Sequence, residues 1–153
     1  PRSTLFPYTT LFRSRNTGPM TAEMIEQNFM AITELAQHHG IKVVLCAVMP
    51  VSNYPYEWQQ REEANAGASA NRRPSTRSRM TDRRPPADIL KLNAWLREYA
   101  ARVGAVYADY FSAFADEKGW LKDGYSEDGL HPNAAGYKLM APVAEAAIQK
   151  AMQ

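Results

Sequence analysis

The sequence has one cysteine, no long hydrophobic run and no excess of either charge, and each scarcity excludes something. A single cysteine, Cys46, excludes an internal disulfide framework and leaves the redox compartment open. The longest uninterrupted apolar stretch runs from Val43 to Met49 and is closed by Pro50. A bilayer crossing needs about 20 residues, so no membrane span is expected. No basic-then-apolar leader is visible, so no signal peptide is expected and localisation stays open. What is present is ordinary for a globular chain: 153 residues, 45% hydrophobic and 22% charged. That is enough for one domain, too little for a multidomain machine and too apolar for wholesale disorder.

The net charge of +2 hides an uneven distribution. Residues 1–15 carry Arg2, Arg13 and Arg15 and no acid, giving +3. Residues 61–84 hold seven arginines against Glu62, Glu63 and Asp82, giving +4. The remainder has eight basic and thirteen acidic side chains, giving −5. Two basic segments mask an acidic body.

The first segment has a second peculiarity. Residues 4–14, Thr-Leu-Phe-Pro-Tyr-Thr-Thr-Leu-Phe-Arg-Ser, resemble the conceptual translation of a common sequencing-adapter oligonucleotide. On that reading residues 1–15 are an artefact, not native sequence, and stay out of fold reasoning. The natural gene would then continue upstream. The other reading of Leu5, Phe6, Leu11 and Phe12 is a hydrophobic N-terminal strand.

From Thr21 the pattern is helical. Ile25, Phe29, Ile32 and Ala36 fall on one stripe, Thr21 suits an N-cap, and Gly40 stands where a left-handed C-terminal cap belongs. Ile41 to Val48, apolar on both faces apart from Lys42, predicts a strand covered on both sides, as in a parallel sheet. Residues 51–60 read as an aromatic loop. Residues 61–86, with almost no large apolar side chain, read as a disordered insertion. Ile89, Leu92, Leu96, Tyr99 and Val103 predict a second helix closed by Gly104, and Ala105 to Asp109 a second strand. A long loop over 110–132 leads to Asn133, an N-cap for a last helix with Tyr137, Met140, Ala144, Ile148 and Met152 as its stripe and a kink at Pro142. The order α-β-α-β-α predicts an open α/β sheet. Two strands alone make a poor sheet.

Ligands of such sheets bind outside the carboxyl ends of the strands, the edge at which the loop after Asp109 leaves. That loop contains Asp128 and His131, three apart, so one turn can bring the carboxylate to an imidazole nitrogen. A carboxylate on Nδ1–H fixes the tautomer and leaves Nε2 free as a general base. On spacing alone, a structural turn is the commoner reading of such a pair.

The Asn-Thr-Gly-Pro-Met-Thr start at 16–21, Val-Met-Pro-Val at 48–51, Leu-Asn-Ala-Trp-Leu at 92–96, Val-Tyr-Ala-Asp-Tyr at 106–110 and Asp-Gly-Leu-His-Pro-Asn-Ala-Ala-Gly-Tyr at 128–137 resemble the C-terminal half of the SGNH (GDSL-type) hydrolases. The resemblance implies a three-layer α/β/α, flavodoxin-like fold of about 200 residues in the whole family domain. It implies carboxylic-ester hydrolysis through a seryl-acyl intermediate, with Asp128 orienting His131 as base. No cofactor and no metal are implied, and the substrates would be esters of sugars or lipids. The family's Gly-Asp-Ser block, its oxyanion-hole glycine and its Gly-x-Asn-Asp block are all absent from the sequence. The expectation is a truncated, inactive tail of an esterase.

The remaining candidates have blander readings. Ser126 is the serine nearest the pair and reads as a turn former. His38 and His39 close the first helix without an acid or cysteine at metal spacing. Cys46 reads as a small buried hydrophobe, and Asp109 as a residue binding either its own loop or the site. Tyr54, Tyr56 and Trp58 either line an acyl or sugar pocket or pin their loop. The arginines of 61–84 lack interleaved aromatics, so no nucleic-acid partner is expected. The alternative from another class is a non-catalytic interaction module that uses this loop.

Overall fold

The computed structural model describes residues 3–5, 21–54 and 79–153. Its centre is β2 (Lys42–Cys46), the middle strand of a parallel three-stranded sheet with β1 (Ser3–Leu5) on one side and β3 (Val106–Ala108) on the other. Val44 lies opposite Leu5 and Val106. Successive β2 side chains point to opposite faces. Val43 and Leu45 enter a cluster with Ala36 of α1 (Ala22–His38) and with Tyr99 and Ala100 of α3 (Pro86–Val103). Val44 and Cys46 pack toward Val143, Ala147 and Ala151 of α5 (Ala134–Met152). Helices therefore cover both faces, the three-layer α/β arrangement expected of a strand apolar on both sides.

The helix ends follow local chemistry. Thr21 Oγ1 accepts the Met24 N–H at 3.2 Å, and Asn133 caps α5 through the N–H groups of Ala135 and Gly136, both at 3.0 Å. Gly40 and Gly104, each at φ 68°, let Ile41 and Ala105 bond back to the carbonyls of Ala36 and Ala100.

The structure departs from the expected order in three added elements. One is β1. The others are α2 (Met80–Arg83) and α4 (Tyr110–Phe114), the latter at the start of the expected long loop. Only backbone pairing is described for β1, and a parallel edge accepts any extended segment. The pairing is thus compatible with either origin of residues 1–15. Of the expected disordered stretch, 61–78 lie outside the described residues, whereas 79–86 are ordered. Met80 packs against the Ile25–Leu96 cluster, and Asn53 and Thr81 exchange two hydrogen bonds. Composition missed this because the partner of Thr81 is 28 residues away.

Two stripes are also rotated. Thr33 is buried in α1 while Ile32 is 42% exposed, because the stripe is centred between Phe29 and Ala36. In α5 the buried positions are Gly136, Ala147 and Ala151, and Tyr137 and Met152 stand outside. Small residues let this helix lie close to the sheet. The helix runs on through Pro142. Among the described residues no helix is long and apolar enough to cross a membrane.

Candidate active site

The chain leaves β2 into a segment, Ala47–Tyr54, in which every residue is buried. Buried backbone must find partners, and here they come from distant elements. Asn93 of α3 is the first. Its side-chain oxygen accepts the Val48 N–H at 2.7 Å and its amide donates to the Val48 carbonyl at 2.8 Å. Leu121 N–H bonds the Val51 carbonyl at 3.2 Å, and Ser52 N–H bonds the Gly129 carbonyl at 2.9 Å. The Tyr54 hydroxyl donates to the Ser126 carbonyl. The segment is a floor at the carboxyl edge of the sheet, and the loop 126–132 is laid on it.

That loop is held by an isolated bridge between Ser126 and Pro132 and turns through Gly129 at φ 75°. The turn places Asp128 Oδ2 at 2.6 Å from His131 Nδ1. Oδ1 accepts three hydrogen bonds: from His131 N–H at 2.7 Å, Leu130 N–H at 3.0 Å and the Ser126 hydroxyl at 3.1 Å. Desolvation pushes the Asp128 carboxyl up, but the hydrogen bonds from the His131 backbone and ring and from Leu130 outweigh it and lower it to about 2. The group is a carboxylate throughout the neutral range. Bound to Nδ1, it favours the tautomer protonated there and leaves Nε2 as a proton acceptor. The His131 side chain is 64% exposed, so that nitrogen is within reach of a reactant.

Asp128 and His131 are therefore brought together as their spacing suggests, and Ser126 forms the turn. Tyr54 pins the loop, whereas Tyr56 and Trp58 lie outside the described residues. Asp109 serves its own surroundings: it caps α4 through Ser112 N–H at 3.1 Å and pairs with Arg97 at 2.7 Å. Cys46 is half-buried, and desolvation, partly offset by a hydrogen bond with Tyr110, pushes its thiol up to about 11. That suits a packing residue and not a nucleophile. His38 and His39 close α1 edge to face at 5.3 Å, away from the pair. Among the described residues no three His, Cys, Asp or Glu side chains gather as metal ligands. Asn93 was missed by sequence reasoning. An asparagine among the buried positions of a helix was the available signal, since it must find a partner.

A family model described as the GDSL-like lipase/acylhydrolase family matches residues 13–139. Among solved structures, a GDSL-like lipase from Bacteroides thetaiotaomicron is 26% identical at a TM-score of 0.66, covering 88% of this chain and 56% of that one. A protein from Bacteroides fragilis described as an acylhydrolase is 28% identical at 0.66, covering 90% and 56%. The esterase domain of the zebrafish ZfL2-1 ORF1 protein shares the fold at 16% identity and a TM-score of 0.56, covering 88% and 62%. The chain thus spans a little over half the length of the first two. No curated protein matches it.

Proposed function

Because the chain belongs to the GDSL-like lipase/acylhydrolase family, we propose that Asp128 and His131 are the orienting acid and general base of a carboxylic-ester hydrolase. The nucleophile of that hydrolase would be a serine of a longer parent protein. The observation that carries this reading is the 2.6 Å contact between Asp128 Oδ2 and Nδ1 of an exposed imidazole, at the carboxyl edge of a parallel sheet.

His131 Nε2 takes the hydroxyl proton as the serine oxygen attacks the ester carbonyl carbon. The carboxylate stabilises the imidazolium, which then gives its proton to the departing alkoxide. A water molecule repeats the sequence on the acyl-serine and releases the acid. The substrates are acyl or acetyl esters of sugars or lipids. As it stands, the 153-residue chain has no Gly-Asp-Ser block and is inactive. Losing the nucleophile removes most of a triad's acceleration.

Two measurements with a chromogenic short-chain acyl ester test the reading. The purified chain shows no turnover that depends on His131. The parent, recovered by extending the gene upstream to a Gly-Asp-Ser block, hydrolyses the ester and loses at least about 10³-fold in kcat/KM in His131→Ala. Turnover by the chain itself that disappears in His131→Ala overturns the inactivity. An extended protein indifferent to that substitution overturns the assignment of the base.

A further inference from the structure

The carboxylate of Asp128 has to do more than lie near His131. The last torsion of an aspartate is soft, so the plane of the carboxylate must be set by what it binds. The Ser126 hydroxyl is one of the groups that sets it. Its oxygen accepts the Leu130 N–H at 3.1 Å and the Asp128 N–H at 3.3 Å. A hydroxyl has two lone pairs and one proton. With both lone pairs occupied by backbone donors, the proton is left to donate, and the acceptor in reach is Asp128 Oδ1 at 3.1 Å. Reversing the hydroxyl would take this acceptor from the Asp128 N–H, while the Leu130 N–H is shared with Asp128 Oδ1 at 3.0 Å, and a carboxylate has no proton to give in return. Ser126 is itself buried and held from beneath, because Tyr54, also buried, donates its phenol proton to the Ser126 carbonyl.

We propose that Ser126 and Tyr54 are positioning residues for His131: Ser126 fixes the plane of the Asp128 carboxylate with Oδ2 toward Nδ1, and Tyr54 anchors Ser126 to the floor. The assignment rests on the reading of His131 as the base, but its test needs no catalysis.

Ring ¹⁵N shifts, measured on the 153-residue chain above neutral pH, report which imidazole nitrogen holds the proton. His38 and His39, at the far end of α1, serve as references in the same spectrum. In the unaltered chain His131 carries its proton on Nδ1. In Ser126→Ala and in Tyr54→Phe the ratio of the Nδ1–H to the Nε2–H form at His131 falls at least twofold, with His38 and His39 unmoved. A ratio unchanged in both variants overturns the proposal. Should Ser126→Ala fail to fold, Tyr54→Phe, which removes one oxygen and keeps the buried ring, decides alone. A positive tautomer shift with no esterase activity in the parent would remove the proposed function and keep the positioning. An unchanged ratio with full activity would do the reverse.

Discussion

Gly136 sets how closely α5 stands to the loop that carries the imidazole. A Cβ built there would lie 2.7 Å from the Tyr125 carbonyl oxygen and 2.9 Å from Pro132 Cβ, closer than such atoms tolerate. Both neighbours belong to the loop that ends in the Asn133 cap, so the clash cannot be relieved by turning a side chain. Gly136→Ala is expected to cost about 1–3 kcal/mol, measured as a lowered denaturation midpoint with an unchanged slope. Asp128 makes a different prediction. Its carboxyl is held at about 2 in the folded chain, below its unfolded value. The stabilisation is therefore complete above the unfolded value, near 3.9, and is lost as pH falls toward 2. Asp128→Asn should flatten the stability profile between those limits and lower stability across the neutral side, where the carboxylate's contribution is complete, with the two profiles converging toward pH 2. In an active parent protein the same substitution should lower kcat about 10⁴-fold by favouring the wrong tautomer.

At the scale of elements, the local rules were legible and the cross-links were not. Thr21, Gly40, Gly104 and Asn133 could be placed in advance because a cap is a contract between residues two to five apart. Asp128 and His131 were legible for the same reason, their spacing being one turn. Asn93 binds Val48 across 45 residues and Tyr54 binds Ser126 across 72. No periodicity encodes such a partner, so the floor of the site stayed hidden behind a reading of 51–60 as a loop. Met80 and Thr81 were misjudged likewise, since a segment poor in large side chains can still be ordered by one buried amide. Asn93→Ala tests the weight of the clamp. It leaves the Val48 N–H and carbonyl buried without that partner, at about 1–3 kcal/mol for each unsatisfied group. A loss of about 2–6 kcal/mol in a denaturant titration is expected. A loss under about 1 kcal/mol would mean that water or a shifted backbone replaces Asn93 at little cost.

For the whole molecule, the sheet is the weak point. Among the described residues β2 has five residues, β1 and β3 three each, and β3 is paired on one side. Unpaired edges invite a second chain, and Met24, Ile32 and Leu35 add exposed apolar surface on α1. The chain spans 56% of the length of the two Bacteroides proteins, and a shorter chain buries less core with which to offset chain entropy. A broad unfolding transition is expected, with an apparent mass by light scattering that rises with concentration. Ser3–Leu5 hydrogen-bonds the Lys42–Val44 edge, so a chain beginning at Asn16 bares that edge as well and should associate at lower concentration. Sharp, concentration-independent melting of both forms as monomers would show that the body of this chain closes its own sheet. The proposed parent protein would then need another justification than stability.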